Sequence, residues 1–210
     1  MGILLGLTAA LSWGLADYFA AVASRQTGAF RVVLGFHLVA MVLLAGLMVV
    51  TAEGLSDVTG GDLAWLAFIG VLGGLSYLAF YRALAIGPIS IVSPIVSAYA
   101  AVTVVCAVLI GGERLGGGET IAIVVVMLGV VLASSDLAQM RQLERIALLG
   151  ILLALATALI IGVFVYGVAY FSADYGWLVP IFLARGFSTL FLVAVSLRGG
   201  EWRFPDRSPR

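Results

Sequence analysis

The sequence predicts an all-α integral membrane protein: a multi-pass helix bundle of about seven transmembrane helices, comprising one complete five-helix repeat and two helices of an inverted second repeat. Three observations carry this. Of 210 residues, 63% are hydrophobic and 10% charged, whereas a soluble domain is nearer half apolar and a quarter charged. The apolar residues fall in continuous runs of about 20, the length that crosses a bilayer as a helix, not in the alternating pattern of a barrel strand. The text that opens the chain also returns after five such runs.

The runs occupy roughly 3–23, 32–52, 63–85, 89–110, 120–136, 147–170 and 177–197. The first has no basic start and continues to about Ala23, so it reads as a span rather than a cleavable signal. The second ends at EGLSDVTGGD and the third at IGP, stretches whose Gly and Pro stop helices and make turns. The fourth contains Pro94, which should bend it or free a carbonyl. The fourth and fifth are joined by GGERLGGGE, which holds Gly112, Glu113 and Arg114; the fifth is the shortest run. The sixth gives way to SADYG, and a polar tail, 198–210, follows the seventh. Glu119 at a helix start suits the helix dipole. Glu113 at a helix end does not, so a polar contact to Arg114 or a neighbouring loop is expected for it.

Orientation follows from the arginines, which favour cytoplasmic loops. Odd loops and the tail hold Arg25, Arg31, Arg82, Arg141, Arg145, Arg198, Arg203, Arg207 and Arg210. Even loops hold Arg114 alone, with Glu53, Asp57, Asp62, Glu113, Glu119 and Asp174. The expectation is an N-terminus outside, with odd loops and tail in the cytoplasm of a cell whose plasma membrane holds the protein.

Several classes are excluded. Net charge is zero, so there is no basic patch for nucleic acid. Cys106 stands alone in an apolar run, and no His/Cys cluster has metal-ligand spacing, so no metal or other cofactor is expected. GGERLGGGE has Glu where a phosphate-binding loop needs Lys, and the chain has no lysine. With no HExxH, no GxSxG and no pair of intramembrane acids placed for catalysis, the chain does not read as an enzyme.

Leu4-Leu5-Gly6-Leu7 returns as Leu148-Leu149-Gly150-Ile151, 144 residues later, and LGFHLVA around His37 lies at nearly the same offset from FLARGFS around Arg185. Five spans separate the copies, so the second must begin on the other side of the membrane, an inverted-topology repeat. The segment 81–134 resembles the second half of an EamA domain of the drug/metabolite transporter superfamily. The features that carry the resemblance are Tyr-x-Ala-Leu at Tyr81 to Leu84, Ser93-Pro94, the turn Gly112-Glu113-Arg114, and Gly129. WGLADYFAAVASRQTG, 13–28, resembles the end of a first helix in that group. The resemblance covers 3–136 as one complete repeat and 147–197 as part of a second. It implies ten helices in two inverted halves with a substrate path between them. This chain departs from that pattern after two helices of the second half, so a homo-oligomer or a complementing second half is an expected partner.

An ionisable side chain inside a span costs at least ~2.5 kcal/mol for Asp or Arg at the centre, so each needs a reason. Asp17 in the first span and His37 in the second sit at similar depth, where a pair would make a proton- or substrate-coupled site. The alternatives are a structural helix-to-helix hydrogen bond, or Asp17 paired to Arg25. Arg185, near the middle of the last span, either binds an anionic group in a cavity or caps carbonyls of a neighbouring helix. Arg82 is expected to snorkel to the interface. Ser90, Ser93 and Ser97 share one face, reading as close packing or as a cavity wall beside Pro94. Gly70, Gly73 and Gly74 read as a packing face. Trp13, Tyr77, Tyr81 and Tyr99 are candidates for an aromatic-walled site, against positions facing lipid or core; Trp65, Trp177 and Trp202 read as interface anchors.

Two functions follow from the resemblance and these residues. One is export of a small organic metabolite or drug-like solute by a secondary transporter driven by an ion gradient, with a proton as the candidate coupling ion. The other is a truncated or accessory membrane protein without transport activity of its own.

Overall fold

The computed structural model describes residues 2–55, 58–134 and 145–198. Asp57, Arg141, Trp202, Arg203, Arg207, Arg210, the end of the expected fifth span and the tail beyond Arg198 lie outside the described residues. The helices are α1 (Gly2–Thr27), α2 (Ala29–Thr51), α3 (Gly60–Ile86), α4 (Ile89–Ser97), α5 (Tyr99–Leu109), α6 (Gly117–Ser134), α7 (Arg145–Tyr175) and α8 (Leu178–Leu197). No strand occurs among the described residues.

Among the described residues, six helical stretches are long and apolar enough to cross a membrane: α1, α2, α3, α4 with α5, α7 and α8. The apolar stretch Gly117–Val130 of α6 is shorter, as its run in the sequence is. The chain is therefore a multi-pass helical membrane protein. α4 and α5 are one span broken at Ala98, whose N–H turns to the carbonyls of Ile95 and Val96. Pro94 lies inside α4 and has no N–H to continue the helical ladder.

Turn chemistry sets the boundaries. Gly28, at φ 91°, reverses the chain between α1 and α2. Thr59 caps α3, accepting from the Asp62 N–H at 3.2 Å and donating to the Asp62 carboxylate at 2.8 Å. SADYG is not a loop as far as Tyr175. Nothing in Ser172-Ala173-Asp174-Tyr175 breaks a helix, so α7 runs on until Gly176, at φ 71°, stops it. At the α5–α6 turn, Gly112 adopts φ 70° and the Glu113 N–H bonds back to the Ala107 carbonyl at 3.1 Å. Glu119 accepts from the Gly116 N–H at 2.8 Å, a reach-back cap on the first turn of α6. Glu113 is exposed, and among the described residues its carboxylate has no partner, so the expected contact to Arg114 or a loop does not form.

α3 is the central helix, packed on α7 and α8 and touched by α1 and α2. Lipid offers no hydrophobic drive between helices, so close approach at small residues has to supply the attraction. A Cβ on Gly70 would lie 2.5 Å from the Ala184 carbonyl oxygen and 2.9 Å from Phe187; one on Gly73 would lie 2.8 Å from Phe164. The expected packing face is thus filled by α8 and α7. On the odd-loop side, Arg25 donates to the Leu84 carbonyl at 3.2 Å and the Gly87 carbonyl at 2.9 Å, capping α3 with charge suited to a helix C-terminus. On the even-loop side, the Tyr175 hydroxyl donates to Asp62 at 2.6 Å, tying the end of α7 to the start of α3.

Candidate functional site

Two polar groupings sit within the spans. The first joins α1 to α4. Asp17, half-buried, accepts a short hydrogen bond from the Ser93 hydroxyl. Ser93 precedes Pro94, and its own carbonyl accepts from Ser97 at 3.0 Å, so the serine stripe and the proline bend meet at Asp17. Ser97 itself is exposed.

The second joins α2, α3 and α8. His37 is fully buried, and its Nδ1–H donates to the Val33 carbonyl at 2.9 Å, which leaves Nε2 as an acceptor with no partner. Its ring meets Tyr77 edge-on at 5.2 Å. On Tyr77 rests Arg185, only 8% exposed: Nη2 donates to the Tyr77 hydroxyl at 3.1 Å, and the guanidinium carbon lies 4.7 Å from the Tyr77 ring centre and 5.4 Å from that of Phe36. Nε and Nη1 of Arg185 are buried without a hydrogen-bond partner. Each such ring contact stabilises a desolvated cation by about 2 kcal/mol, while taking an ion out of water costs several kcal/mol.

Tyr81, buried, lies within electrostatic range of Asp17, Tyr77 and Arg185. Tyr99, half-buried at the start of α5, lies within range of Tyr77. The rings of Tyr81 and Tyr77 lie 6.4 Å apart between centres, which places Tyr81 beside the second grouping.

Over residues 1–135, that is α1 to α6, the chain matches the family model of the EamA-like transporter family. The chain belongs to that family. No curated protein and no solved structure gives a significant match. Family members are membrane transporters, not enzymes, so a lipid bilayer and a small solute are the partners this EamA-like chain inherits.

The structure corrects several expectations about this transporter-family chain. Asp17 and His37 do not pair: Asp17 turns to Ser93 on α4 and His37 to its own helix and Tyr77. Arg25 caps α3 and so does not bond Asp17 either. Trp13 is 56% exposed, with Leu11 and Leu15 exposed beside it, and makes no ring contact with a tyrosine among the described residues. Arg82 is half-buried and lines a cavity of about 180 Å³ among Leu75, Leu78, Leu153, Phe191 and Val195. That cavity holds none of the candidate residues. Trp65, in the second turn of α3, and Trp177, just before α8, are both exposed. Phe36 and Ser188 were missed. Phe36 walls Arg185; buried Ser188, three residues along the same helix, donates to the carbonyls of Gly70 and Ala184. An apolar run gives no signal that singles out one Phe or Ser, but adjacency to His37 and a one-turn spacing from Arg185 were available.

Proposed function

We propose that the chain works in secondary transport of a small organic metabolite or drug-like solute across the plasma membrane, in the export direction and driven by a proton gradient. The observation that carries this reading is the set of polar groups within the spans: Asp17 hydrogen-bonded to Ser93, and the buried His37, Tyr77 and Arg185 in mutual contact. An apolar bundle held together by packing alone needs none of them, and ionisable groups within spans mark ion or substrate paths. Asp17 takes the role of coupling group, and the tyrosines line the solute path. The path lies between a five-helix repeat at 3–136 and the start of an inverted second repeat at 147–197. The N-terminus is outside and the odd loops are cytoplasmic, supported by the arginine bias and testable by impermeant labelling of loop five. The chain has no catalytic role of its own.

The test is solute uptake into proteoliposomes containing only this chain, with and without a pH gradient. Wild type should accumulate at least one solute with the gradient. Asp17→Asn, at equal incorporation, should lose the pH-dependent part and keep any downhill leak. Unchanged gradient-driven uptake in Asp17→Asn removes Asp17 from coupling. No flux from wild type with any solute removes transport by this chain alone, in favour of an accessory role.

A further inference from the structure

We propose that Arg185 is the anchor of a subsite for a small organic anion, a carboxylate or a group of like charge and size, walled by Phe36 and Tyr77 and bordered by His37. The proposal rests on the transport reading for its physiological meaning, but it stands on the geometry alone.

Arg185 is the eighth of twenty residues in α8, within the apolar span. Among the described residues no carboxylate pairs with it, and its only side-chain hydrogen bond goes to a neutral phenol. Asp17 is committed to Ser93. The two aromatic faces hold the guanidinium in place but bring no compensating charge. Nε and Nη1, both buried, remain as donors. A guanidinium fixed by one hydrogen bond and two rings, with N–H groups left over, is preorganised for an oxyanion. The unpartnered Nε2 of His37, whose ring packs edge-on against Tyr77, adds a polar group that orients a ligand carrying a donor. The surround is otherwise apolar and aromatic, the lining in which small-molecule sites set their few polar groups.

A purely structural arginine would use its donors on neighbouring carbonyls, as Arg25 does at the end of α3. Arg185 uses none in that way.

The experiment uses the full chain purified in detergent, with benzoate as probe and benzamide as its neutral counterpart. Benzoate should raise the melting temperature in a saturable manner, and benzamide should not. Arg185→Gln should weaken benzoate binding at least about tenfold, and Arg185→Lys should weaken it less. Equal shifts from benzoate and benzamide, or undiminished benzoate binding by Arg185→Gln, overturn the subsite. If Arg185→Gln does not fold, the wild-type comparison of the two probes still decides. Benzoate binding without flux of any solute would count against the transport reading and leave the subsite standing. Flux of uncharged solutes with no response to benzoate would do the reverse.

Discussion

α1 and α7 open on the same short text, Leu-Leu-Gly, and place small residues at matching positions, yet those positions have opposite surroundings. Gly6, Ala10 and Gly14 of α1 stand 144 residues before Gly150, Ala154 and Ala158 of α7. On α7 those positions are buried: Ala154 is fully covered, Ala158 nearly so, and a Cβ on Gly150 would meet Gly87 at 3.1 Å. One turn on, a Cβ on Gly162 would strike Val102 of α5. On α1 all three are exposed, and a Cβ on Gly6 or Gly14 would meet nothing within 4 Å. Small residues let helices approach closely, yet they do not bring a partner. The stabilisation lies in the neighbour's atoms.

The comparison can be broken in three ways. The largest effect is expected from Gly162→Val, which forces Val102 and the Tyr99 carbonyl away. It should lower stability by about 1–3 kcal/mol in denaturant titrations of micelle-embedded protein, whereas Gly14→Val should change it by less than about 0.5 kcal/mol. Equal losses at the two sites would mean that α1 is as closely packed as α7. Next is Arg25→Gln. It removes the charged cap that fastens the end of α1 to α3, and a loss of about 1 kcal/mol is expected. No loss would place the attachment of α1 elsewhere. The smallest is Thr103→Val, which deletes the 3.1 Å bond from α5 to the Gly162 carbonyl. About 0.6 kcal/mol should go, set against no measurable change for Ser12→Ala, whose hydroxyl bonds only its own helix.

The spans were legible because length and apolarity are local properties: a run of about 20 such residues needs no neighbour to be a span. Turns at Gly87, in IGP, and Gly112, in GGERLGGGE, were legible for the same reason. The end of α7 was misplaced because Asp174 and Tyr175 look polar in the text, while in space Tyr175 bonds Asp62, more than a hundred positions away. Within the site, rarity picked out Asp17, His37 and Arg185. Their partners were hidden because they depend on how each helix is rotated about its axis. Depth along a span suggested Asp17 with His37; rotation delivered Asp17 to Ser93 and His37 to Tyr77. Trp13 shows the same limit, since its aromatic character was plain and its outward direction was not.

The two ties on α3 have a mechanical consequence. Arg25 grips its C-terminal end from α1, and Tyr175 grips its N-terminal end from α7, on opposite faces of the membrane. A rod clamped at both bearings serves as an axle: neighbours can swing about it while it stays put. Any rocking that parts α1 from α7 must either turn around α3 or undo one clamp, and undoing one leaves the other to hold the register.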